Sequence, residues 1–129
     1  MTATARDKPL EASLAGALDV IAWEIELAGA RCIQLDTLIG AMLNTLSPEN
    51  QAQALEGLHT VDLLSQHLTG ISAFARELGE GVSPELEARV DEALSKVSLG
   101  ALADRLTTAL GGVERGLNDG ADCGDLDLF

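Results

Sequence analysis

Tyrosine is absent from this sequence, and two phenylalanines and one tryptophan are all the aromatic residues among its 129 positions. Its core must therefore come from Leu, Ala, Ile and Val, a mix that favours helices packed on helices, because strands draw on interleaved β-branched and aromatic residues. Basic residues are scarce as well: eight Lys and Arg against 21 Asp and Glu leave a net charge of −13. Phosphate backbones and anionic membranes are bound by clustered cations, so neither nucleic acid nor a membrane is an expected partner. The two cysteines, Cys32 and Cys123, lie too far apart in the chain to suggest a disulfide framework or a metal cluster, and reduced thiols are the expectation. No run approaches the ~20 apolar residues of a membrane span, and the N-terminus lacks the apolar block of a signal peptide. The chain reads as soluble and cytoplasmic.

What is present is helical periodicity. The length suits one domain, read as a disordered start (1–8), a helical domain (9–111) and a flexible acidic tail (112–129). From Leu10 to Leu46 the positions Leu14, Ala17, Ile21, Ala28, Cys32, Leu35, Ile39 and Met42 keep one face apolar, widened by Leu18, Ile25 and Leu43. A second helix spans Ser47 to Leu78, with Ser47 as cap, Pro48 at the first position, Glu49 in the first turn, and Gly79 and Gly81 at its end. Its expected buried stripe is Val61, Leu64, Leu68, Ile71, Ala75 and Leu78. The short turn between the two makes them an antiparallel hairpin. Ser83-Pro84-Glu85 repeats the start signal and predicts a third helix carrying Leu86, Val90, Leu94, Val97, Leu102, Leu106 and Leu110, with Ser98 to Gly100 as a place where it divides. The fold class is thus all-α: a long antiparallel hairpin plus a third helix, with dimerisation through the hairpin covering its long apolar faces. Trp23 lies off the centre of the first stripe, as a contact to a second subunit or to the third helix. Glu24 and Glu26 flank Ile25 and call for a partner or exposure.

At about 100° per residue, Asp62 and Gln66 lie roughly 40° apart and nearly opposite the buried stripe. A carboxylate and an amide then stand side by side, facing outward, with Leu55, Leu58, His59 and Thr69 around them. They are either ordinary solvated residues or the centre of a docking surface. At the other end Leu126, Leu128 and Phe129 stand among Asp122, Asp125 and Asp127, which suits a segment that docks in a partner's groove or folds back on its own domain.

Asp62-Leu63-Leu64-Ser65-Gln66 resembles the Asp-x-x-x-Gln signature of the CheZ family of chemotaxis phosphatases, which dephosphorylate the receiver protein CheY. In that family the pair projects from the second helix of a long hairpin, two hairpins form a dimeric four-helix bundle, and an acidic C-terminal segment ending in an apolar residue grips the receiver. Leu126-Asp127-Leu128-Phe129 is similar to that segment. The resemblance implies a phosphatase acting on a phosphorylated, CheY-like response regulator in two-component signalling, with Asp62 and Gln66 catalytic and Leu126, Leu128 and Phe129 partner-binding. It implies a homodimer and no cofactor of its own, the Mg²⁺ being held by the receiver. The chemistry suits the residues. An aspartyl phosphate hydrolyses by in-line attack of water, so positioning that water accelerates it. An amide accepts a hydrogen bond from water while donating another, and Asp62 would engage the receiver's lysine.

Two other classes stand beside this one. A histidine phosphotransfer module is suggested by His59 and His67 on the same helix, although the usual His-x-x-Lys-Gly is missing. A non-catalytic adaptor would use the leucines and the Leu-Asp-Leu-Phe ending, which also looks like peptides that dock into the bacterial sliding clamp, and would change no phosphate lifetime.

Overall fold

The computed structural model describes residues 9–111. Strand β1 (Glu11–Ser13) leads into helix α1 (Leu14–Met42); a 3-10 turn (Leu43–Thr45) leads to helix α2 (Pro48–Glu80). Strand β2 (Glu87–Arg89) and helices α3 (Asp91–Ser95) and α4 (Gly100–Ala109) follow. The all-α expectation holds apart from one small two-stranded sheet. The chain divides into two compact units, one of residues 21–77 and the other, among the described residues, of 9–20 with 78–111. None of the helices is long and apolar enough to cross a membrane, among the described residues.

The unit of residues 21–77 is the hairpin. Its turn is held by local bonds: the Thr45 hydroxyl donates to the Met42 carbonyl at 2.7 Å, and the Gln51 amide to the Leu43 carbonyl at 3.0 Å. Ser47 caps α2 as its sequence suggests, accepting from the Asn50 amide at 3.3 Å. From residue 21 to 46 the less exposed positions on the inward face are Ala22, Ile25, Gly29, Cys32, Ile39, Leu43 and Leu46, with Glu24, Glu26 and Leu27 partly covered beside them; along α2 they are Gln51, Ala54, Leu58, Val61, Ser65, Leu68, Ser72 and Ala75, with Arg76 partly covered at the edge. Both sets step by alternating three and four, the 3.5-residue period of a coiled-coil seam, broken only by exposed Asp36. The positions most completely covered are small ones, Ala22, Gly29, Ser72 and Ala75. Among the described residues no large side chain is fully buried.

This corrects the expected stripes. Ile21, Leu35, Met42, Leu64, Ile71 and Leu78 are exposed. A two-helix seam admits only two lanes of each helix, and here those lanes mix Ala22, Gly29, Ser65 and Ser72 with Ile25, Ile39, Leu58 and Leu68, while Ile21, Leu35, Leu64 and Ile71 stand one position to the side. Trp23 is also more than half exposed.

The edges of the seam differ in character. On one, the Arg76 guanidinium makes two hydrogen bonds to the Glu26 carboxylate, both 2.8 Å. In an antiparallel seam, seven steps forward on α1 match seven steps back on α2, so the row of Glu26, Ile33 and Gly40 shares an edge with the row of Asp62, Thr69 and Arg76. The opposite edge carries the rows of Ile21, Ala28 and Leu35 on α1 and of Gly57, Leu64 and Ile71 on α2. One edge is polar, and the other apolar.

In the second unit β1 and β2 pair antiparallel, Glu11 with Arg89, Ala12 with Ala88 and Ser13 with Glu87. The pairing is extended by Leu14 donating to the Leu86 carbonyl at 2.8 Å and Val90 to the Leu10 carbonyl at 2.9 Å. Ser83-Pro84-Glu85 therefore opens no helix. Ser83 instead anchors a turn, its carbonyl accepting from the Leu86 amide at 3.1 Å, and residues 87–89 satisfy their backbone on the strand at 11–13. Long-range pairing overrides a local start signal that serves turns equally well. The division expected at Ser98 to Gly100 is present, with α3 ending at Ser95 and α4 beginning at Gly100. Ser13 accepts from the Gly16 amide at 2.9 Å and fixes the start of α1. A Cβ on Gly79 would lie 3.4 Å from both the Ala15 carbonyl and Leu18 Cβ, so close backbone approach explains that glycine. Val90 and Ala101 are buried here, and so is Asp104, 2% exposed, whose Oδ2 has no partner among the described residues.

Candidate functional site

Helix α2 runs unbroken from Pro48 to Glu80, so Asp62 and Gln66 sit one turn apart on a continuous backbone. Both are exposed, and the Gln66 amide donates from Nε2 to Asp62 Oδ2 at 2.9 Å. That bond fixes the amide's orientation. One N–H is directed at the carboxylate, while the carbonyl Oε1 is the amide's acceptor and the second N–H its remaining donor. A solvent molecule or a partner's polar group approaching this helix therefore meets an acceptor and a carboxylate already aligned.

Leu55, Asp62, Thr69 and Arg76 repeat at seven-residue intervals along the polar edge, and His59 and Gln66 form the next row outward. Leu55 is 55% exposed, and His59 and Thr69 are exposed too. The Thr69 hydroxyl is turned back to the Ser65 carbonyl at 3.0 Å. Leu58 is different: it is half-buried and falls on the seam, so its row faces α1. Leu126, Leu128 and Phe129 lie outside the described residues.

Across the seam α1 contributes two positions that the sequence reading passed over. Gly40 lies on the Glu26 row of the polar edge, and a Cβ added there would meet nothing within 4 Å. Ile33, one heptad earlier, is 61% exposed. Their seven-residue spacing from Glu26 was the available signal.

Electrostatically the edge is anchored by the ion pair. The hydrogen bonds from Arg76, reinforced by its positive charge, hold the Glu26 carboxyl below its ordinary value of 4.5. Among the described residues no group of three or more His, Cys, Asp or Glu is placed to hold a metal ion. The arrangement is suited to orienting a small polar molecule against another protein's surface rather than to enclosing a substrate, since both side chains stand on a convex helix face.

A family model for a domain of unknown function matches residues 10–129. No curated protein and no solved structure matches the chain.

Proposed function

The chain belongs to the DUF8776 family, a domain of unknown function, and from the geometry of Asp62 and Gln66 we propose that it is a CheZ-like phosphatase of the aspartyl phosphate on a CheY-type response regulator. The observation that carries this reading is the outward-facing pair on an unbroken helix, tied side chain to side chain at 2.9 Å. Gln66 accepts a hydrogen bond from the attacking water and aims its lone pair at phosphorus; the transferred phosphoryl passes to that water, and the receiver's aspartate leaves as carboxylate. Asp62 holds Gln66 by the bond already present and engages the receiver's lysine, fixing the docked geometry. The Mg²⁺ is the receiver's, and it balances charge on the phosphoryl oxygens. The protein acts as a homodimer in a chemotaxis pathway in the cytoplasm, with Leu55, His59, Thr69 and the terminal Leu126, Leu128 and Phe129 as partner contacts, while Leu58 belongs to the seam.

The test is the lifetime of the phosphorylated receiver with and without the protein, receiver by receiver. A shortened lifetime for at least one is the expected result. The exposed apolar residues Ile33 and Leu55 on the same edge as the pair favour one other reading, a non-catalytic adaptor, which would bind a receiver and leave every lifetime unchanged.

A further inference from the structure

Strand β2 leaves one side of its backbone unpaired among the described residues. Leu14 donates to Leu86 and Val90 to Leu10, so the hydrogen-bonded pairs of the ladder are Leu10 with Val90, Ala12 with Ala88 and Leu14 with Leu86. In an antiparallel pair the residues between them turn their N–H and C=O groups the other way. Glu87 and Arg89 therefore present two donors and two acceptors outward, and none of the four has a backbone partner among the described residues.

The two faces of this small sheet differ. Alternation places Leu10, Ala12, Leu14, Leu86, Ala88 and Val90 on one face, and Glu11, Ser13, Glu87 and Arg89 on the other. On the apolar face Val90 is buried and Leu10, Ala12, Leu14 and Ala88 are half-buried, whereas Leu86 is 51% exposed. On the polar face Arg89 bonds Asp91 at 3.3 Å and stands opposite Glu11, while Glu87 stands opposite Ser13 and has no cation beside it among the described residues.

We infer that this edge takes an extended segment of another protein as a third strand, antiparallel to β2, with a Lys or Arg opposite Glu87 between two apolar residues that cover Leu86 and Ala88.

In strand addition the main-chain bonds supply affinity and the alternating side chains supply selectivity. The residue opposite Glu87 exchanges both backbone bonds with it, and its side chain stands beside the carboxylate on the polar face. Its two neighbours turn to the other face, over Leu86 and Ala88. Strand β1 is the less suited edge, because Leu10 and Leu14 are already half-buried. Charge selects a basic segment of another protein over this chain's own residues. A second copy offers Ala88-Arg89-Val90, but that arginine is engaged by Asp91, and the approach brings together two chains of net −13. The basic residues outside 9–111 are Arg6, Lys8 and Arg115, and none stands between two apolar residues. The edge belongs to the unit without Asp62 and Gln66, and the inference is independent of the phosphatase reading, because its test involves no receiver.

The probe is the fluorescein-labelled peptide Gly-Thr-Val-Lys-Val-Thr-Gly, titrated with the full chain and followed by fluorescence anisotropy. Three peptides serve as controls: one with Glu in place of Lys, one with its Thr and Val residues exchanged, and one methylated on the Lys backbone nitrogen. Each should bind at least ~10-fold more weakly, since it loses in turn the charge pair, the apolar cover and a main-chain bond. Glu87→Lys should reverse the preference, taking the Glu peptide over the Lys peptide. Glu87 is exposed and its backbone faces away from β1, so the variant should keep the wild-type helix content in circular dichroism. Where it does not, amide hydrogen exchange of the wild type decides: the Lys peptide should slow Glu87 and Arg89 and leave Glu11 and Ser13 unchanged. Equal binding of all four peptides, no binding of the Lys peptide, an unreversed preference in folded Glu87→Lys, or slowing at Glu11 and Ser13 instead overturns the inference. So does concentration-dependent slowing at Glu87 and Arg89 without peptide, which would put a second copy on the edge.

Discussion

Arg76 reaches across the hairpin to Glu26, fifty positions earlier in the chain, and holds both oxygens of its carboxylate at 2.8 Å. The bidentate geometry favours this register as well as adding attraction, because a slip of one heptad toward the turn would set Arg76 against Ile33 instead.

The pair gives the hairpin a pH dependence of known sign. Arg76 lowers the Glu26 carboxyl from its ordinary 4.5, so the folded state releases that proton more readily than the unfolded chain. The stabilisation is complete above the unfolded value and is lost as pH falls through the lowered folded one. Urea denaturation from about pH 7 down to about pH 3 should show a shallower acid loss in Arg76→Met than in wild type. Equal slopes would show that the two groups are not coupled in solution.

Gln66→Ala should abolish acceleration of receiver dephosphorylation while leaving receiver binding within about twofold, since the amide acts on the water and not on docking. Asp62→Ala should lower both, because the carboxylate positions Gln66 and contacts the receiver. Stopped-flow lifetimes alongside binding titrations separate the two effects. Full acceleration by Gln66→Ala ends the catalytic reading.

Gly40 divides stability from recognition. A Cβ there meets nothing within 4 Å, so Gly40→Ala should stabilise the fold by roughly 0.5–1 kcal/mol through lower chain entropy in the unfolded state. Gly40→Leu should remain folded yet weaken receiver binding, as the side chain would stand on the polar edge that also carries Asp62. Gly79→Ala serves as contrast, since its Cβ would press the Ala15 carbonyl and Leu18 at 3.4 Å. Calorimetry orders the three, and a destabilised Gly40→Ala would refute the assigned open space.

Asp104 is buried at 2% exposure with an oxygen that has no partner among the described residues. Removing its charge at constant shape should relieve desolvation, so Asp104→Asn is expected to raise stability by about 1 kcal/mol. A loss of stability in the same denaturant titration would mean that the carboxylate is matched by a cationic group.

Much of this arrangement is legible in the residues. Ser47 and Pro48 start α2 where their chemistry requires, the Gly79 and Gly81 region ends it, and Ser98 to Gly100 divides the last periodic run. The outward pairing of Asp62 with Gln66 follows from helical spacing alone. The strand at 87–89 is not legible, because Glu87-Ala88-Arg89 has no strand signal of its own and extends only where residues 11–13 supply backbone partners. The inward face of each helix was displaced for a related reason. Hydrophobicity ranks Leu64 and Ile71 above Ser65 and Ser72, whereas close packing of two helices rewards the smaller side chains. Gly40 and Ile33 are recognisable only once the Glu26 to Arg76 pair fixes which row of α1 meets Asp62.

The 3.5-residue spacing of the seam carries one more consequence. A straight α-helix repeating every seven residues would rotate its rows by ~20° per heptad, a drift that a seven-residue seam is expected to cancel by left-handed winding of its two helices. Glu26, Ile33 and Gly40 thereby stay in line beside the row that holds Asp62. Inserting one residue between Ile33 and Gly40 would swing Gly40 through about 100° and bring Ile39, one position back, onto the polar edge that carries Asp62, placing a bulky apolar group there without touching either polar side chain of the site.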